Sequence, residues 1–176
     1  MCCMSIIKRG GFMDQLNKIE NSSVQVNEMV TAILGDSLNE IDNYINLVRN
    51  CFINDKQLQD GDLDRIILQI PVYIYNLITL AQQLEMKKGL SKEHAKYAEN
   101  EALLNAVGTV NDKKAIAENK TIQDRVTMNA YTTACTIVKS KIDGAMAILD
   151  SAKKVQQRRI AEMKLTGAAG SSVGAF

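Results

Sequence analysis

Ten basic side chains in the second half of the chain raise the first chemical question. Lys113, Lys114, Lys120 and Arg125 cluster around the approach to a long helical stretch, and Lys139, Lys141, Lys153, Lys154, Arg158 and Arg159 follow along it. Such a face suits contact with a phosphate backbone, where each neutralised phosphate releases counterions and affinity falls steeply with salt. The competing reading is a solvated helix surface. Residues 1–90 carry 8 basic and 11 acidic side chains, whereas residues 91–176 carry 13 and 9, so the chain runs from net −3 to net +4. That polarity points to a polyanionic partner, without the strong excess of many nucleic-acid binders. Binding of single strands without sequence preference also uses aromatic stacking. Tyr97 and Tyr131 lie nearest, and Tyr131 falls at a core-like position.

Other chemistries find no residues to carry them. There is no glycine-rich loop followed by Lys and Ser or Thr to cradle a nucleotide, and no nucleophile elbow. His94 is the single histidine, which leaves Ser or Cys without a general-base partner. Cys2, Cys3, Cys51 and Cys135 have no metal-binding spacing. Asp60-x-Asp62-x-Asp64 imitates the start of a calcium loop, but the sixth position is Arg65 rather than Gly and the twelfth is Pro71 rather than Glu. A helix-capping turn is the better reading. The expectation is a protein that is not an enzyme and needs no cofactor and no metal. Cys51 and Cys135 read as small buried hydrophobes, and reduced thiols fit a cytoplasmic location. Lys8 and Arg9 are not followed by an apolar run, so no signal peptide is expected.

The elements that must position the basic residues are helical. One proline, no tryptophan and few aromatics disfavour a β-sandwich, and a chain of this length is most simply one domain with tails. Residues 1–35 read as a poorly structured arm with weak helicity over 14–29. Residues 36–120 read as a helical domain, opening with a capping box at Ser37-Leu38-Asn39-Glu40 and a face of Leu38, Ile41, Ile45, Val48 and Phe52. Residues 66–84 contain no charge and approach the length of a membrane span. Ile67, Ile70, Ile74, Leu77, Ala81 and Leu84 nevertheless repeat at helical spacing and leave Gln69, Asn76, Gln82 and Gln83 on other faces, which favours a seam helix and no membrane. Pro71 predicts a kink or a helix start, and Val72-Tyr73-Ile74-Tyr75 keeps a strand as second choice. Ser91 is expected to cap a separate helix to Val107, broken at Gly108-Thr109. Residues 121–165 form the long C-terminal helix. Its Met128, Tyr131, Cys135, Val138, Ile142, Ala145, Leu149 and Ala152 make a 3-4 seam expected to associate copies of the chain. Residues 166–176, rich in Gly, Ala and Ser, read as a flexible tail. The fold class is therefore all-α: an elongated helical protein whose long C-terminal helix builds an oligomeric bundle.

Gly108-Thr109-Val110-Asn111-Asp112-Lys113-Lys114-Ala115-Ile116-Ala117, then a spacer, then a long helix containing Lys141-Ile142-Asp143 and ending in Arg158-Arg159-Ile160-Ala161-Glu162-Met163-Lys164-Leu165, resembles small helical bacteriophage proteins, the recombination mediators of the UvsY type. The resemblance covers roughly residues 91–165 and rests on pattern and order. It implies a non-enzymatic, homo-oligomeric protein that binds single-stranded DNA and helps load a recombinase onto strands coated by single-strand-binding protein, in a host cytoplasm. Lys113 and Lys114 would then be the foremost phosphate contacts. Asn111-Asp112 beside them departs from a purely basic turn. The alternatives are a phage structural or assembly protein, scaffold or connector-like, and a small regulatory or inhibitory protein that docks on a partner through the long helix.

Overall fold

The computed structural model describes residues 20–54, 56 and 58–170. These residues form five helices and no strand. Helix α1 covers residues 20–34, α2 Asn39–Ile53, α3 Asp60–Asn105, α4 Val110–Lys120 and α5 Ile122–Gly170. The expected all-α class and the long C-terminal helix are both present.

Helix α3 is longer than its sequence breakers suggest. Leu63, Ile66, Ile70, Ile74, Leu77, Ala81, Leu84, Ala95 and Ala102 are buried along it. They fall on one face, at steps of three and four or sums of these. A proline inside a helix costs about 3 kcal/mol and a glycine about 1 kcal/mol relative to alanine, yet both Pro71 and Gly89 sit inside this one helix. Pro71 lies on the exposed side, where solvent can take up the carbonyl that its missing N–H leaves unpaired. Gly89 keeps ordinary helical geometry and has open space where a side chain would be. Burial of the inner face thus overrides both breakers. The strand at 72–75 does not form, and Ser91 is an interior residue of α3 rather than a cap. By length and hydropathy alone α3 would pass as a membrane span. Its apolar residues instead divide between the buried row and an outer face that mixes Gln69, Asn76, Gln82 and Gln83 with Leu68, Val72 and Tyr75.

Two compact units share these helices. One combines the described residues up to Gly35 with Ala81–Ile137, and the other combines Asp36–Leu80 with the described residues from Val138 onward. The expected division at 120/121 is therefore not a unit boundary, because each unit takes a piece of both long helices.

In the first unit α3 and α5 run antiparallel. Cys135 Sγ donates to Glu85 Oε2 at 3.0 Å, His94 Nδ1 meets Asp124 Oδ1 at 3.0 Å, and Arg125 Nη2 reaches Glu99 Oε1 at 3.5 Å. Glu85, earlier on α3, meets α5 at Cys135, and His94 and Glu99, later on α3, meet the start of α5 at Asp124 and Arg125. Helix α1 belongs here, with Val30 and Leu34 buried. Residues 20–34 are therefore not a loose arm: Val26, Val30 and Leu34 recur every fourth residue. Gly35, at φ 45°, ends the helix with its N–H on the Thr31 carbonyl at 2.9 Å. Only Thr121 separates α4 from α5. It is buried, its Oγ1 and N–H both donate to the Ala117 carbonyl, and its own carbonyl accepts from Arg125 N–H.

In the second unit α2 packs on α3 and α5. Asp42 pairs with Lys141, and the Tyr44 hydroxyl donates to Gln69 Oε1. The Tyr44 ring stands 6.0 Å from that of Tyr73, and burial first, then Tyr73 and Glu40, push the Tyr44 hydroxyl pKa up. Helix α2 starts at Asn39, whose side-chain amide donates to Asp36 Oδ1. The capping box expected at Ser37 does not open the helix: residues 35–38 form a turn and Glu40 lies in the first helical turn. Antiparallel pairing of α3 with α5 recurs here, where Asp64 accepts from Gln156 Nε2 at 3.1 Å and Asp60 pairs with Arg159. Helix α5 continues through Thr166 to Gly170, past the expected start of the tail, with Thr166 Oγ1 bonded back to the Glu162 carbonyl. Residues 171–176, Cys2, Cys3 and the Phe52 side chain lie outside the described residues.

The seam of α5 is spent within the chain. Cys135, Val138, Ile142, Ala145 and Ala152 are buried in the single copy, and Met128, Tyr131 and Leu149 are half-buried. Toward the helix start the buried row shifts to Val126, Ala130 and Ala134, whose four-residue steps turn the inner face away from Met128. Most of the row expected to associate copies is thus buried within one copy.

Ile66 and Leu68 are two residues apart, one fully buried and one 72% exposed. Ile66→Ala should cost about 2–5 kcal/mol of unfolding free energy, and Leu68→Ala should stay within about 0.5 kcal/mol of wild type. Urea denaturation read by circular dichroism separates the two outcomes. Equal losses would mean that α3 is not packed as described.

Candidate nucleic-acid interface

Eight of the ten basic residues, all but Lys139 and Lys141, are the candidates for phosphate contact, and they divide between the two units. Lys113, Lys114, Lys120 and Arg125 belong to the first, and Lys153, Lys154, Arg158 and Arg159 to the second.

The first group depends on how α4 begins. Gly108 adopts φ 129°, a conformation other residues rarely take, and a side chain there would come within 3.1 Å of Asp112 Cβ. Thr109 is the N-cap. Its Oγ1 accepts from the Asp112 N–H, and Asp112 Oδ2 accepts from the Thr109 N–H at 3.1 Å and from its hydroxyl at 2.6 Å. This reciprocal box satisfies donors at the helix start. It also explains the acidic residue beside the lysines: Asp112 is a cap, and its hydrogen bonds from Thr109 hold its carboxyl below the usual carboxylate range. The pattern Thr-x-x-Asp was readable in the sequence and was missed there. Past the cap, Lys114 and Lys120 are exposed and Lys113 is half-buried. Arg125 is committed to Glu99.

Around this turn stand Leu104, Val107 and Val110, each more than two-thirds exposed. Tyr97, one heptad before Leu104 on α3, is 70% exposed and open to stacking. Tyr131 is half-buried, with the Lys87 ammonium 6.0 Å from its ring centre, so it is not a free stacking platform.

The second group is more selective than its sequence suggests. Arg159 is held by Asp60 and by the Leu58 carbonyl at 2.7 Å, and Lys141 upstream by Asp42. Both are inter-helix ties rather than surface charge. Lys153, Lys154 and Arg158 are exposed, as is Lys164 further on, and among the described residues none of the four has a carboxylate within ion-pair distance. Asp143 and Asp150 share the outer face of α5 before them, so an uninterrupted basic run begins only at Lys153. Among the described residues no cluster of three or more His, Cys, Asp or Glu side chains is arranged to hold a metal ion. Cys51 is half-buried and Cys135 buried, and neither is in a disulfide.

No family model, curated protein or solved structure matches the chain.

The Thr109–Asp112 box makes a prediction about acid. A carboxyl whose pKa is lowered by folding contributes stability above its unfolded pKa and loses that contribution as pH falls through the folded value. The Asp112 side-chain carbon should therefore titrate below the ordinary aspartate range by NMR, and Thr109→Ala should bring its midpoint back up. An Asp112 midpoint unmoved by Thr109→Ala would show that the box does not form in solution.

Proposed function

We propose that the chain is a non-enzymatic protein that binds single-stranded DNA through its phosphates, and that it works as a recombination mediator, presenting strands to a recombinase in the presence of single-strand-binding protein. The observation that carries this reading is the end of α5. Lys153, Lys154, Arg158 and Lys164 project from one helix with no ion pair among the described residues to blunt them, while the neighbouring Arg159 and Lys141 are tied down. Exposed cations on a rigid helix can follow a flexible polyanion without reading its bases. Lys113, Lys114 and Lys120 on α4 supply a second set, with Tyr97 in the same unit for stacking. The resemblance over residues 91–165 supplies the biological setting. Loading a recombinase shifts populations of protein–DNA complexes and asks no bond chemistry of this chain.

A second reading, a phage assembly component or a regulatory protein docking by a helix, draws on one observation. Leu68, Val72 and Tyr75 form an exposed row on α3, and rows of this kind mark protein contacts. Native mass spectrometry with and without oligonucleotide distinguishes a protein that assembles alone from one that responds to DNA.

Titration of a labelled oligo-dT, followed by anisotropy at several salt concentrations, tests the main reading. Four phosphate contacts at the end of α5 predict a log–log salt slope of about −3, and Lys153→Ala with Lys154→Ala should make it shallower by about 1.4. Lys113→Ala with Lys114→Ala measures the share of α4 in the same way. Absence of binding at low salt, or affinity indifferent to salt, would rule the reading out.

A further inference from the structure

The second unit contains a groove that neither its core packing nor the phosphate contacts account for. Val48 of α2, Ile66 of α3 and Ala147, Ile148, Ala152 and Val155 of α5 line a cavity of about 240 Å3. It adjoins a wider depression of about 440 Å3 whose walls add Lys56, Arg158, Arg159 and Glu162. Val48, Leu58 and Val155 border both, so the apolar part leads directly into the charged part. The charge of Arg159 is taken up by Asp60 and the Leu58 carbonyl. Lys56 and Arg158 are exposed, and among the described residues neither has a carboxylate in ion-pair contact, Glu162 included.

The apolar part is smaller than the roughly 300–1000 Å3 of most small-molecule sites and is partly open to solvent. Its size fits one bulky side chain whose backbone stays outside. Lys56 and Arg158 at its mouth outnumber the single carboxylate of Glu162 there and favour carboxylates on either side of that anchor. We propose that this groove docks an acidic peptide segment of a partner protein, with one large apolar side chain seated against Val48, Ile148 and Val155 and flanking carboxylates beside Lys56 and Arg158. The groove does not require the chain to bind DNA. If it does, peptide and strand meet at Arg158 and compete there.

Anisotropy of a fluorescein-labelled ten-residue peptide of Asp and Glu carrying one central Phe tests the proposal. Replacing that Phe with Ala should weaken binding about tenfold or more, the worth of burying one large side chain. Ala147→Trp fills the groove from an exposed wall position and should weaken the peptide to a similar extent while leaving oligo-dT affinity unchanged. Arg158→Glu should weaken both. Should Ala147→Trp melt earlier than wild type, Ser151→Trp, on the same wall and also exposed, replaces it. Equal binding of the peptide lacking Phe would reduce the effect to charge alone and overturn the proposal. So would unchanged peptide affinity in the Trp variants, or binding of octanoate where the peptide does not bind. Loss of oligo-dT binding with the peptide retained would instead count against the DNA reading only.

Discussion

Burial of one face of α3, from Leu63 to Ala102, keeps that helix continuous through Pro71 and Gly89 and gives α5 a surface to pack against in each unit. The other elements follow from it. In the second unit α2 lies against the same face, with Ile41 buried and Tyr44 reaching across to Gln69. In the first unit α4 closes the connection to α5, stopped by Thr121 and started by Thr109 and Asp112. Polar ties such as Asp60 with Arg159 and Glu99 with Arg125 sit at the margins and fix register. Being partly exposed, they contribute little energy compared with the buried aliphatic row.

That packing determines what is left for function. The interior claims the middle of α5 from Val126 to Ala152, and the inter-helix ties claim Lys141 and Arg159. Lys153, Lys154, Arg158 and Lys164 remain outside, as do Lys114 and Lys120. A basic sequence is thereby sorted into structural cations and available ones, a distinction that depends on carboxylates about a hundred residues away in the chain.

Much of this was legible in the sequence, because three- and four-residue spacing reports helices directly. The inner faces of α2 and of the first half of α3 and most of the α5 row can be read from it, whereas Ala95 and Ala102 further along α3 cannot. What spacing does not report is the partner of a face. The same periodicity serves a core within one chain and a seam between chains, so Val138, Ile142 and Ala145 look identical in either role. Breakers misled for a related reason. Pro71 and Gly89 carry local costs, and the neighbours that outweigh them come from distant parts of the chain. Conversely, Gly108-Thr109-x-x-Asp112 is a local signal, fully present in the sequence and masked only by the attention its lysines draw. The apolar groove in the second unit had no local signal at all: Val48, Ile66 and Ile148 come together only through the fold.

The central claim is that the α5 row belongs to the interior of a single copy and leaves the end of that helix free to meet other molecules. Amide hydrogen exchange over residues 130–152, measured across a wide range of protein concentration, addresses it most directly. An intrachain core predicts strong protection that does not change on dilution. Protection that falls away as the protein is diluted would mean that the row is held by other copies, and would contradict the account.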